Sequence, residues 1–126
     1  MWSELEEVFK ALKLPYSRQG SYESEAELPD SFFTFWNFNT PESGWYDNES
    51  HKTIWVWYIY FYTNDPSKLY AEMDLLVDEL KKRGFIIETR GQDIKCERPD
   101  YIGRYIRTTY IQNRFEKEIQ NGKEVL

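Results

Sequence analysis

The sequence predicts an α+β domain: a mixed, mainly antiparallel sheet with a long-looped β-hairpin, packed against two helices. Three observations predict it. Residues 32–38 and 52–62 are dense in aromatic and β-branched side chains and read as strands. An amphipathic helix follows, opening on Asp65-Pro66 and closing at Gly84. Further strand-like segments come after Gly84. The expected order is α-β-β-α-β-β-β over one domain, 1–113, with a loosely ordered charged tail at 114–126.

The first helix is short. Ser3 followed by Glu6 matches a capping box, in which two side chains satisfy backbone donors left open at the first turn. Leu5, Val8, Phe9 and Leu12 then fall at i, i+3, i+4 and i+7 and make one apolar face. Pro15 disfavours helical geometry at Leu14 and ends the run. Residues 16–30 are polar, with acids at Glu23, Glu25, Glu27 and Asp30, and read as a loop or weak extended segment.

The second strand, Lys52 to Tyr62, is unusual. Ile54, Val56, Tyr58, Tyr60 and Tyr62 occupy one face, and Trp55, Trp57, Ile59 and Phe61 the other. A half-exposed strand alternates apolar with polar, so a strand apolar on both sides needs cover on both. Helices supply one cover, and a second protein is the expected source of the other. The connection from Thr40 to His51 exceeds an ordinary hairpin loop and carries Trp45 and Tyr46 at its tip, which suits an interaction arm. Trp45, Tyr46, Trp55 and Trp57 are the expected contact residues.

In the second helix, Asp65 is an N-cap and Pro66 fits the first helical position. Leu69, Tyr70, Met73, Leu76, Val77 and Leu80 form its apolar stripe. Lys81, Lys82 and Arg83 complement the negative end of the helix dipole, and Gly84 suits the left-handed closing conformation. A strand resumes at 85–89. Strand, helix, strand in succession favours a parallel crossover, hence a mixed sheet. Gly91-Gln92-Asp93 reads as a turn, 94–97 as a short extended piece and Pro99-Asp100 as a break. The last strand spans roughly 103–113, with Ile102, Ile106 and Tyr110 on one face.

Composition narrows the function classes. The chain has 126 residues, one domain's worth, and a chain this long buries about two-thirds of its unfolded surface. Lys and Arg number 16 against 22 Asp and Glu, a net charge of −6, which argues against phosphate-backbone binding as the main task. Aromatic residues make up 18 %, enough to imply either a tight β-rich core or a surface that packs on another protein. The single Cys96 cannot form an internal disulfide and no leader-like segment opens the chain, so a reducing interior is expected. No apolar run approaches the roughly 20 residues that span a bilayer. One His and one Cys exclude a Cys/His zinc site within one chain.

Candidate chemistry is sparse. His51 with Asp47 or Glu49 offers half of an acid–base pair, but no nucleophile accompanies it, and a polar residue at a strand start is the simpler reading. Cys96 reads as an inert packed thiol, and Asp74 with Asp78 as a solvated helix face. Asp93-Ile94-Lys95 matches the end of a nuclease-type metal motif, yet the Pro-Asp that should precede it is missing at useful spacing. The glycines include no phosphate-cradling cluster. Arg98, Arg104, Arg107 and Arg114, interleaved with Tyr101, Tyr105 and Tyr110, resemble a stacking surface for nucleic acid. Strand alternation puts Tyr105 and Arg107 on one face and Arg104 on the other, which splits that patch. Salt bridges to the excess acids are expected instead.

Phe35-Trp36, Tyr46-Asp47-Asn48, Trp55, Phe61-Tyr62-Thr63-Asn64-Asp65-Pro66, Gly84-Phe85, Gly91-Gln92-Asp93 and Pro99-Asp100 to Gly103-Arg104 occur in this order. Together they resemble small structural proteins from the morphogenesis cluster of long-tailed phages and prophages of Gram-positive bacteria, nearest to the tail-terminator or tail-completion type. The element order is also similar to the terminator fold of lambda-like phages. The resemblance covers about residues 31–113 and leaves out the first helix and the tail. It implies a ring, typically hexameric, that caps the head-proximal end of the tail tube and presents a surface to head-completion proteins. The implied partners are further copies of the chain, the tail tube protein and a neck protein, in the virion after assembly in the bacterial cytoplasm. It implies no active site, metal or cofactor. Another neck or tail component, an acidic protein–protein adaptor, and a small metal-dependent nuclease built on Asp93 and Lys95 are the alternatives.

Replacing Trp45 and Tyr46 by Ser is expected to weaken assembly while circular dichroism shows the fold intact. Unfolding of that variant would make both rings core residues instead.

Overall fold

The computed structural model describes residues 2–19, 28–39, 42–43, 52–89 and 91–113. Helix α1 (Trp2–Leu12) leads into strand β1 (Tyr16–Arg18), followed by β2 (Ser31–Asn39), β3 (Glu42–Ser43) and β4 (Lys52–Thr63). A single 3-10 turn (Pro66–Lys68) opens helix α2 (Leu69–Lys82). Strands β5 (Ile86–Ile87), β6 (Gln92–Lys95) and β7 (Ile102–Asn113) complete the described chain. The architecture is α+β, with these seven strands in one mixed sheet.

The sheet is built outward from β4. Its twelve residues pair without interruption against β7, from Lys52 opposite Asn113 to Thr63 opposite Ile102. Strand β2 pairs antiparallel along the other edge of β4, with a register irregularity between Asn37 and Asn39. Strand β3 continues along that edge, Ser43 opposite Lys52. Pairing therefore reaches into the connection expected as a loop from Thr40 to His51, and residues 44–51 lie outside the described residues. Strands β5 and β6 both run antiparallel along the outer edge of β7, offset by the irregular stretch around Gly91. Strands β4 and β5 thus point the same way with β7 between them, as the crossover through α2 requires. The parallel neighbours in the sheet are β1 and β2, Tyr16 opposite Phe33. Strand β1 lies in the stretch expected to be a loop or weak extended segment, and is its extended part.

Both helices cover one face of the sheet. Leu5, Val8 and Phe9 of α1 and Leu69, Met73, Leu76, Val77 and Leu80 of α2 are buried against Phe33, Phe35, Trp57, Ile59, Phe61 and Ile106. Phe33 meets Phe61 at 5.1 Å between ring centroids, and Phe9 meets Phe33 at 5.4 Å. Ordering these large side chains is offset by the apolar area they remove from water, the dominant favourable term in folding. At one end of the sheet buried Ser31 and Thr63 share a hydroxyl–hydroxyl bond of 2.9 Å, and Thr63 Oγ1 accepts the Asp65 N–H.

Several local expectations change. Helix α1 begins at Trp2, so Ser3 sits inside its first turn with its hydroxyl donating to Glu4, while Glu6 pairs with Lys10 at 3.0 Å. The capping box therefore does not form. The helix closes before Leu14, through Lys13 in the left-handed region at φ 60. Asp65 caps as expected, its Oδ1 accepting the Ser67 N–H at 3.0 Å, but the turn it caps is 3-10 and α2 starts at Leu69. Tyr70 departs from the apolar stripe and is 55 % exposed, because its hydroxyl reaches out to donate to Asp93. Gly84 takes φ +88 beyond the end of α2, as expected of the closing residue. The expected tail, 114–126, lies outside the described residues.

Gly103 has a packing reason to be glycine. It faces Tyr62 across the β4–β7 ladder, and a Cβ there would stand 2.8 Å from two carbons of the Tyr62 ring and 3.1 Å from Ile94. Gly103→Ala should cost about 1–3 kcal/mol in chemical denaturation, the usual penalty for overpacking. A loss below about 0.5 kcal/mol, typical of an unobstructed surface site, would mean that the ring moves aside freely.

Candidate interaction surface

The uncovered face of the sheet follows from register. Strict alternation places Phe32, Thr34, Trp36 and Phe38 of β2 on the side away from the helices. They lie beside Ile54, Val56, Tyr58, Tyr60 and Tyr62 of β4 and Gly103, Tyr105, Arg107, Thr109 and Ile111 of β7. Ile86 joins them opposite Thr109. Among the described residues no helix packs on this face. Phe38, Ile86 and Ile111 are 53 %, 51 % and 46 % exposed on it.

Its rings form a continuous array rather than isolated exposed side chains. Trp36 stacks on Tyr58 at 4.7 Å with planes 7° apart, and Phe38 stands edge-on to both. Tyr60 contacts Tyr105 at 5.5 Å and lies parallel to Tyr62, and Tyr62 leads on to Phe32. Polar handles tie the array down. The Trp36 indole N–H donates to the Tyr60 hydroxyl at 3.2 Å, and the Tyr105 hydroxyl donates to Gln92 at 3.2 Å. Arg107 lies over Phe38 and Tyr58, 5.6 and 5.8 Å from their centroids, and pairs with Glu88. Tyr, Trp and Arg are the side chains enriched at protein–protein interface cores, where large rings add contact area at small entropic cost.

One end of the face is closed. The Tyr101 hydroxyl donates to the carbonyl of Pro29 at 2.8 Å, and its ring stands edge-on to Phe32. Burial holds that hydroxyl above the usual range, and it pushes the neighbouring Tyr62 hydroxyl up to about 12. Both phenols are therefore neutral at ordinary pH, and Tyr101 acts as a donor.

Of the expected contact residues, Trp55 and Trp57 are described. Trp45 and Tyr46 lie outside the described residues, as do Asp47, Glu49, His51 and Arg114. Trp57 is on the helix side and only 2 % exposed, a core residue, and its indole N–H has no acceptor among the described residues. Trp55 is half-buried against that core, stacked with Trp57 at 6.2 Å and donating to Gln112. The surface available to a partner is thus the opposite face of the same strand. Sequence reading named the β4 residues of this face but missed Trp36, Phe38, Tyr105 and Ile111, which only the register of β2 and β7 adds.

The remaining candidates have structural explanations. Asp93 receives Arg104 on one carboxylate oxygen and the Tyr70 hydroxyl, at 2.7 Å, on the other. Those two donors, Tyr70 foremost, hold its carboxyl below the usual range. Arg104 also donates to the Gly91 carbonyl and lies 5.1 Å from the Tyr70 ring centroid, on the helix side. The arginine patch is therefore divided between the two faces, as strand alternation requires. Among the described residues no cluster of three or more His, Cys, Asp or Glu side chains can hold a metal ion, and no helix is long and apolar enough to cross a membrane. Comparison with models of known protein families and with curated proteins gives no match.

Because the folded Tyr62 value lies above the ordinary value of 10, its contribution is complete below pH 10 and is lost as pH rises towards about 12. Tyr62→Phe should flatten the fall in denaturation midpoint over that alkaline window. An unchanged slope would show that Tyr62 titrates as if unfolded.

Proposed function

We propose that this protein is a virion structural protein of the tail-terminator type. It forms a ring on the head-proximal end of a long-tailed phage's tail tube and joins it to head-completion proteins. The observation that carries the reading is the open aromatic face. A continuous array of partly buried Trp and Tyr rings with one embedded Arg, and with Phe38, Ile86 and Ile111 exposed around it, has the composition of a protein-contact surface. The ordered motifs between residues 31 and 113 supply the narrower assignment. The partners on this reading are other copies of the chain, the tail tube and a neck protein. The virion is its final location and the bacterial cytoplasm its site of assembly. The role is structural rather than enzymatic.

The nuclease alternative is disfavoured by Asp93, whose two oxygens are taken by Arg104 and Tyr70 and would have to be released before a cation could bind. An adaptor, or another neck component using the same face, differs from the ring reading in stoichiometry. Light scattering across a concentration range, with negative-stain imaging, separates them. A hexamer of this 15.3 kDa chain weighs about 92 kDa and should appear as a ring with an open centre. A monomer at every concentration would overturn the ring and leave the adaptor.

A further inference from the structure

We propose that the open sheet face pairs with the same face of a second copy of this chain, in a twofold contact that closes a dimer. The dimer goes beyond the ring reading and does not rest on it. A twofold contact is complete at two copies and builds no ring by itself, so the pair is a state of the free chain that ring assembly has to exchange.

The occupant follows from what the rest of the surface offers. Of the exposed large apolar side chains, Phe38, Ile86 and Ile111 share the open face, Ile86 lying opposite Thr109, two residues before Ile111. Tyr70 is engaged by Asp93 and Arg104, and Leu75 stands alone on α2 among the acids Asp74, Asp78 and Glu79. Among the described residues each copy therefore has one broad apolar patch, and a second copy can match it only with the same patch. That is the condition for an isologous interface.

The area suffices for a specific contact. The ladder of β4 with β7 runs for twelve residues, and β2 lies along it. At the usual strand rise and spacing the face of β2, β4 and β7 measures roughly 40 by 14 Å, so a pair buries about 1,100 Å², which clears the ~1,000 Å² expected of specific interfaces. Two sheets pack face to face with their strands nearly aligned, giving layers in the order helix, sheet, sheet, helix. Strand β4, apolar on both sides, is then covered by its own helices and by the neighbour's sheet.

Neither charge nor side-chain orientation opposes the contact. Arg107 is the single charged residue among the described side chains of β2, β4 and β7 on this face, and Glu88 of the same copy already pairs with it. Two such faces meet without an unpaired charge among these side chains. Trp36 and Tyr58 are cross-strand partners stacked at 4.7 Å, so they turn their faces to one another rather than outwards. A platform for nucleic-acid bases needs free aromatic faces. Upright aromatic side chains instead make ridges that interdigitate with those of a facing sheet.

The test uses the full chain and two face variants. One carries Ile86→Lys with Ile111→Lys and the other Ile86→Glu with Ile111→Glu. Circular dichroism confirms folding of each, and Ile111→Lys alone is the milder version. Leu75→Lys, similarly exposed but on α2, is the control. By light scattering across a concentration range, the unaltered chain and the control should show a dimer of about 31 kDa as the first associated species. Each face variant should dimerise about tenfold or more weakly, because every pair sets like charges across the contact. Mixed in equal amounts, the two variants bring opposite charges together and should recover a one-to-one dimer. A mixture that stays monomeric, or a face variant that dimerises like the unaltered chain, overturns the proposal. Passage from monomer straight to hexamer overturns it too, while leaving the ring reading standing. A chain that stops at the dimer upholds the proposal and removes the self-assembling ring. A chain that is monomeric at every concentration overturns both.

Discussion

The unbroken pairing of β4 with β7 is the constraint on which the rest of the structure depends. Twelve consecutive residues of each strand are fixed opposite one another. Because side chains alternate with a period of two, that single register decides which face every ring occupies. It sets Ile59 against Ile106 under the helices and Tyr60 against Tyr105 on the open side. A slip by one residue would exchange the two sets. Tyrosine hydroxyls would then enter the core without partners, and Ile59 and Phe61 would face water. The Tyr62–Gly103 pair guards against that slip, because the ring packs where a side chain at position 103 would have to stand.

The two faces of β4 are both apolar in outline but differ in chemistry. The helix side presents Trp57, Ile59 and Phe61, and the open side Tyr58, Tyr60 and Tyr62. A tyrosine buries a ring while leaving a hydroxyl to bond with water or a neighbour, so a row of them tolerates both exposure and contact. The Trp36–Tyr60 and Tyr105–Gln92 bonds, with Arg107 lying over two rings, hold the array in one arrangement before any partner arrives. Side chains already ordered lose less entropy when they are buried at an interface.

How far the sequence could be read depended on how local each determinant was. The residues of β2, β4, β7 and α2 announce themselves through periodicity and through the Asp65 cap. The choice of which β4 face the helices would take was not local. It depends on the register of β2 and β7, which puts Trp57 in the core and Trp55 half-buried beside it. The tyrosines on the other face were the available signal. Strand β1 was left open between loop and weak extended segment because Tyr16-Ser17-Arg18 has no strand-like pattern and becomes a strand by lying parallel to β2. Tyr70 fits the apolar stripe by spacing, yet leaves it for Asp93, twenty-three residues away. Tyr46 belongs to the motifs of the resemblance, but it and Trp45 lie outside the described residues, so the candidate face stands on other residues.

The sheet's edges bear on how such a chain associates. An exposed edge strand is the usual route by which sheets join, and the outermost described strands, β1, β3, β5 and β6, have three, two, two and four residues. Short edges present few open donors and acceptors in line. The irregular stretch between β5 and β6, where Gly91 takes φ +113, breaks one edge further. Edge-to-edge extension is therefore poorly supported among the described strands, while the broad aromatic face is well supported. With a net charge of −6, nonspecific approach of two copies is also opposed at long range. A contact that succeeds must offset that repulsion by burying large apolar area. The aromatic face offers rings for that, with Arg107 already neutralised by Glu88, whereas the short edge strands offer little.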